Sequence, residues 1–174
     1  MSKEMIKGGL LGGVVIFVWS AISWMILPWH MTTMYSFKSD VAMSQAFAAN
    51  VSQSGIYMMP AQTIMAAHIV TPLVFASVYL PGMSSMWPAM IIQLIIQIVS
   101  AFLVMGLLAK TALTYWGRVR FVTIFGVALA IGAYLPYWNW FCFSTGYTLV
   151  GMFDLVVAWF LAGVVMARCM RNSA

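Results

Sequence analysis

Residues 149–166 read LVGMFDLVVAWFLAGVVM, eighteen positions with a single charge, closed by Arg168 and Arg171. A run of that length and composition, flanked by basic residues, predicts a transmembrane helix. The single charge is Asp154. A carboxylate at the centre of a membrane helix costs roughly 2.5–3.5 kcal/mol on insertion scales. Asp154 must therefore face protein, water or a partner, or hold its proton.

The rest of the chain agrees with this reading. Of 174 residues, 64% are hydrophobic and only 6% charged, and the mean hydropathy is +0.98. A soluble domain carries about a quarter charged residues, so the sequence is that of an integral membrane protein. The net charge of +5 is spread singly over the ends of apolar runs, where basic residues orient helices. No basic cluster is dense enough for nucleic acid. The opening MSKEMIKGG has the charge of a signal peptide, but the apolar run after it is too long and lacks a small-residue cleavage site, so it is read as a retained first span.

The expected fold is all-α, a single transmembrane domain of four helices at about 6–27, 87–109, 121–141 and 147–167, with an outer connector over 28–86. In the first span Gly8 and Gly12, and Gly9 and Gly13, form two overlapping small-xxx-small pairs that let another helix approach closely. Trp24 and Trp29 suit a membrane boundary, and Pro28 stops the helix. Within the connector, Ser39 and Asp40 read as a helix start. Met43, Phe47 and Val51 recur at i, i+4 and i+8, an amphipathic helix closed near Ser54 and Gly55. Residues 61–80 are apolar and long enough to span, but His68, Thr71 and Pro72 interrupt them, which predicts a kinked helical segment at the outer face. Leu80-Pro81-Gly82 turns the chain, and Trp87-Pro88 opens the next span.

Orientation follows from the basic residues. Four spans with a cytoplasmic N-terminus put Lys3, Lys7, Lys110, Arg118, Arg120, Arg168 and Arg171 inside and only Lys38 outside. Five spans from the same start export five of these. Five spans with an external N-terminus differ from the four-span count by one residue, and Pro72 and His68 favour four.

Helical rise then sorts the polar residues by depth. Asp154 falls roughly 12 Å below the outer end of its span, and Gln93 and Gln97, one turn apart, roughly 9–15 Å below theirs. Tyr134 and Tyr137 lie within the outer two turns beside Pro136, which leaves the Gly132 carbonyl without its usual donor. Asn139 sits in the aromatic belt YLPYWNWF. Ser20 and Ser23, three residues apart on one face, occupy the matching half of the first span. These groups form one polar layer in the outer half, and the inner half is almost wholly apolar. The layer is either mutual hydrogen-bonding glue or a solvated ligand or ion pocket around Asp154.

Other chemistry is sparse. His30, Met31, Met34 and His68 on the outer side are a candidate soft-metal set for copper, weighed against methionine's ordinary role as packing filler. Cys142 and Cys169 lie at opposite ends of the membrane and cannot pair within one chain. No GxSxG, P-loop or dinucleotide motif is present, and three acids in total argue against a two-carboxylate hydrolase. No cofactor is expected.

The stretch WSAISWMILPWH, followed by an amphipathic segment and SGIY, resembles uncharacterised small bacterial inner-membrane proteins with four predicted spans, on residues 19–30 and 55–57. The resemblance implies a bacterial inner membrane and brings no site with it. Three functional readings follow. The first is a non-enzymatic protein acting by helix–helix association with itself or with another membrane protein. The second is a small-solute or ion permease or binding protein using the pocket around Asp154. The third is an outer-face copper-binding protein.

Overall fold

The computed structural model describes residues 2–61 and 70–170 of the chain. The described elements are helices α1 (Lys3–Met25), α2 (Trp29–Thr32) and α3 (Asp40–Asn50), strands β1 (Gly55–Met59) and β2 (Val74–Val78), then helices α4 (Trp87–Leu108), α5 (Tyr115–Phe141) and α6 (Thr145–Cys169). Of these, α1, α4, α5 and α6 are each long and apolar enough to cross a membrane. The chain is a multi-pass helical membrane bundle. Their outward faces carry Ile91, Ile95, Leu103, Leu149 and Phe153, all exposed, an apolar surface that water would not tolerate and lipid does.

Local chemistry sets the helix ends. The side chains of Ser2, Thr114 and Ser144 accept backbone N–H bonds from Met5, Gly117 and Tyr147 and so cap α1, α5 and α6. Helix α5 begins at Tyr115, six residues before the expected Phe121. The sequence TALTYWGRVR reads as a polar loop, yet Arg118 is buried and donates to the Met170 carbonyl beyond the end of α6 at 2.9 Å. One guanidinium nitrogen is thus held at a neighbouring helix C-terminus, where a cation is favoured, while the buried Nε has no partner among the described residues.

Glycine contacts fix how the helices pack. Were Gly8 to carry a Cβ, it would meet Met105 of α4 at 2.5 Å and Cys169 of α6 at 3.4 Å, so α1 runs antiparallel to both. Further along α1, Gly12 sits against Met166, and a Cβ on Gly13 would meet the Ile98 Cα at 2.5 Å. Gly126 of α5 lies against Trp159 of α6, and Gly151 of α6 against the Tyr134 ring of α5. The spans are therefore arranged α4–α1–α6–α5, with α4 and α5 meeting only sparsely. Both described chain ends lie at one end of the bundle, the terminal end, and residues 26–61 and 70–86 lie at the other, the connector end. The apolar core, including Ile16, Val104, Met105, Val122, Trp159 and Met166, occupies the terminal half.

The connector departs from the expected kinked helix. Residues 62–69, including His68, lie outside the described residues. Beyond them, 74–78 is a strand paired antiparallel with 55–59, Gly55 opposite Val78 and Met59 opposite Val74. Val74, Phe75 and Val78 favour extended backbone, and Pro60 and Pro72 flank the segment where a helix would need N–H donors. Phe75 anchors the hairpin by stacking on Phe141 at the end of α5, 4.1 Å between centroids. A turn follows in which Gly82 takes φ +68° and donates to the Tyr79 carbonyl. Helix α3 starts where expected, capped by Ser39, with Met43 and Phe47 half-buried, but it ends at Asn50, short of Ser54 and Gly55, and Val51 is already extended.

Candidate functional site: a polar cavity at the connector end

Pro28 ends α1 and turns the chain into the one-turn helix α2, which folds back over the bundle. That reversal carries His30 inward until it is 1% exposed. Its Nε2 lies 3.0 Å from Ser23 Oγ, and Trp29 Nε1 donates to the same oxygen at 2.9 Å. Asp154 Oδ2 is 3.5 Å from His30 Nε2. The other carboxylate oxygen, Oδ1, accepts from Trp19 Nε1 at 2.6 Å, and the same indole N–H lies 3.2 Å from the Asp154 backbone carbonyl. Trp24 stacks on the His30 ring, centroids 3.9 Å apart and planes 11° apart. The intramembrane acid is thus held by one indole and faced by one histidine.

Beside this network is a cavity of about 500 Å³. Its floor is the α1–α6 seam, where Phe17, Ser20 and Ala21 face Gly151, Asp154 and Leu155. Gln93 and Gln97 of α4 form one wall and Tyr134 of α5 the other, and Met83 and Met86 close the connector end. Because α4 and α5 barely meet, these two walls are not packed against each other. Methionine and aromatic carbon make most of the surface, and a few polar groups converge on it, as in small-molecule sites. Tyr134 also lines a second, smaller cavity with Tyr137, Phe143 and Tyr147.

The structure brings five of the seven pocket residues expected from sequence to this one cavity: Asp154, Gln93, Gln97, Tyr134 and Ser20. The other two lie elsewhere. Ser23 is fully buried and turned into the His30 network, because an α-helix separates i and i+3 by about 60° of rotation. Asn139 is exposed at the far end of α5. Neither glutamine has a hydrogen bond among the described residues.

The four helix-packing glycines, Gly8, Gly9, Gly12 and Gly13, are all buried against α4 or α6 of the same chain. For the metal set, His30 Nε2 faces Ser23 and Asp154, while Met31 and Met34 are exposed, Met31 at 65%. His68 lies outside the described residues, and no group of three His, Cys, Asp or Glu comes together among the described residues. Trp19 and Trp29 as hydrogen-bond donors were not foreseen. Their spacing around Ser23 and His30 is visible in the sequence, but membrane-boundary placement explains a tryptophan equally well until the fold-back at Pro28 is known.

Fold and site together define a multi-pass helical membrane protein with an acid-bearing cavity in one half of its bundle. No family model, curated protein or solved structure matches the chain.

Proposed function

We propose that this protein is a non-enzymatic membrane-embedded binding protein or small permease, taking a small, largely apolar molecule from the bilayer into the cavity beside Asp154. The observation that carries this reading is the cavity itself: Asp154, Gln93, Gln97, Ser20 and Tyr134, drawn from four helices, converge on one volume of about 500 Å³. Buried polar groups in a bundle are ordinarily consumed by one another. Here Gln93 is exposed and Gln97 half-buried on the cavity wall, and neither makes a hydrogen bond among the described residues, which supports groups left available to a ligand rather than packing glue. The association reading expected from the α1 glycines loses that support, since all four are used within the chain.

Benzophenone, an apolar photoreactive probe, tests the reading. Irradiated with the purified protein in detergent, it is expected to give adducts at Met86 and Met90, and Ala21→Phe, which fills the floor, is expected to remove them. Adducts spread evenly over lipid-facing Ile91 and Ile95 would count against a specific cavity.

The proposed setting is the inner membrane of a bacterium, consistent with the resemblance carried by residues 19–30 and 55–57, with both termini cytoplasmic. Its support is the placement of Lys3, Lys7, Lys110, Arg118, Arg120 and Arg168 toward the terminal end and Lys38 toward the other. An impermeant maleimide added to intact cells should label a cysteine at Asp40 and none at Gly117. The reverse pattern would invert the topology.

A further inference from the structure

Resting on the cavity reading above, we infer that the ligand is a monovalent organic cation, an amine or quaternary ammonium on an apolar body. Among the described residues the cavity is lined by one acid and by no lysine or arginine. The basic residues of the described spans, such as Lys7 and Arg118, sit near their terminal ends. An anion entering from the bilayer would meet a carboxylate with no lysine or arginine on its cavity side among the described residues, in a low-dielectric site, and be repelled.

Asp154 also has acceptor capacity to spare. A carboxylate offers about four lone-pair sites. Trp19 takes one on Oδ1, and among the described residues no hydrogen bond reaches Oδ2. His30 approaches Oδ2 only to 3.5 Å, and its hydrogen bond goes to Ser23. That histidine belongs to the buried side of the carboxylate and does not line the cavity. What does line it favours a cation with a carbon body. The rings of Trp24, Tyr134 and Phe17 offer aromatic surface, and the Met86 and Met90 thioethers are polarizable. An inorganic ion is the poorer fit. A water-sized ion fills about 30 Å³ and requires a shell of oxygens, whereas this cavity is more than ten times larger and walled mostly by carbon.

The test pairs benzyltrimethylammonium with neopentylbenzene, the same shape with carbon in place of the charged nitrogen. Each is used to block benzophenone labelling of the full chain in detergent. The ammonium is expected to protect Met90 at a concentration at least tenfold lower than its neutral isostere. Asp154→Asn is expected to erase that preference while labelling persists. Should that variant fail to fold, Gln97→Lys, which adds a cation to the wall without removing a hydrogen bond, is expected to weaken protection by the ammonium about tenfold more than protection by the isostere. Equal potency of the pair, an intact preference in either variant, or equal protection by sodium chloride would overturn the inference. Absence of cavity labelling in the unmodified protein would instead overturn the cavity reading on which it rests.

Discussion

The two halves of the bundle are built from the same four helices and solve opposite problems. In the terminal half, Gly8, Gly9, Gly12, Gly13, Gly126 and Gly163 let neighbours approach to contact, and Met105, Trp159 and Met166 fill what remains. Lipid is as apolar as these side chains, so burying them from it gains little. Cohesion there comes from close packing. In the connector half, α4 and α5 part, polar groups join Gly151 along the seam, and the helices are tied by the Trp19–Asp154 and Trp29–Ser23–His30 hydrogen bonds. One half holds the helices together. The other holds them apart around a cavity.

The largest effect should come from breaking the packed half. A Cβ at Gly13 would meet the Ile98 backbone at 2.5 Å, which no rotamer change relieves. Gly13→Ala is expected to cost about 3 kcal/mol, the upper range for overpacking, read as a lowered unfolding temperature in detergent. Gly106 and Gly132 have open space around them, so alanine at either should shift stability by no more than about 1 kcal/mol, toward gain. Equal losses at all three positions would dissolve the contrast between tight and open helix faces.

Next comes the network that ties the open half. Ser23→Ala leaves the Trp29 indole N–H and the buried His30 Nε2 without their shared partner. About 2 kcal/mol should be lost, within the range for a stranded buried polar group. The same denaturation measurement checks it, and no change would mean that Ser23 does not hold α2 in place.

Asp154→Asn should matter less for folding, within about 1 kcal/mol, because the amide oxygen can still accept from Trp19. Its consequence belongs to function: the preference for the ammonium over its neutral isostere should be lost in a folded protein whose cavity is still labelled. If the preference survives the substitution, the acid is structural. Asp154→Leu sharpens the result, since stabilisation without other effect would show that the carboxylate serves neither network nor ligand.

The smallest effect is expected at Gln93, exposed to the cavity and free of hydrogen bonds among the described residues. Gln93→Leu should change stability by about 0.5 kcal/mol or less while altering photolabelling of Met90. A large loss of stability would mean that the open half is packed after all.

The four spans, their polar layer and the clustering of basic residues near one end could be read from the chain alone. Length, hydropathy and helical rise are properties of consecutive residues, and they placed Asp154, Gln93, Gln97, Tyr134 and Ser20 at a common depth. Depth is one coordinate only. Which way each side chain points around its helix, and which helices are neighbours, depends on contacts between distant residues. The tertiary structure decided that α1 packs between α4 and α6, consuming its glycines internally. It also decided that Ser23 turns from Ser20 toward His30, that Asn139 stays outside, and that the segment after Pro72 pairs as a strand instead of kinking as a helix. His30 shows the reason most directly. Next to Met31 in sequence, it reads as a metal ligand. Folded back past Pro28, it is a buried partner facing an acid 124 positions away.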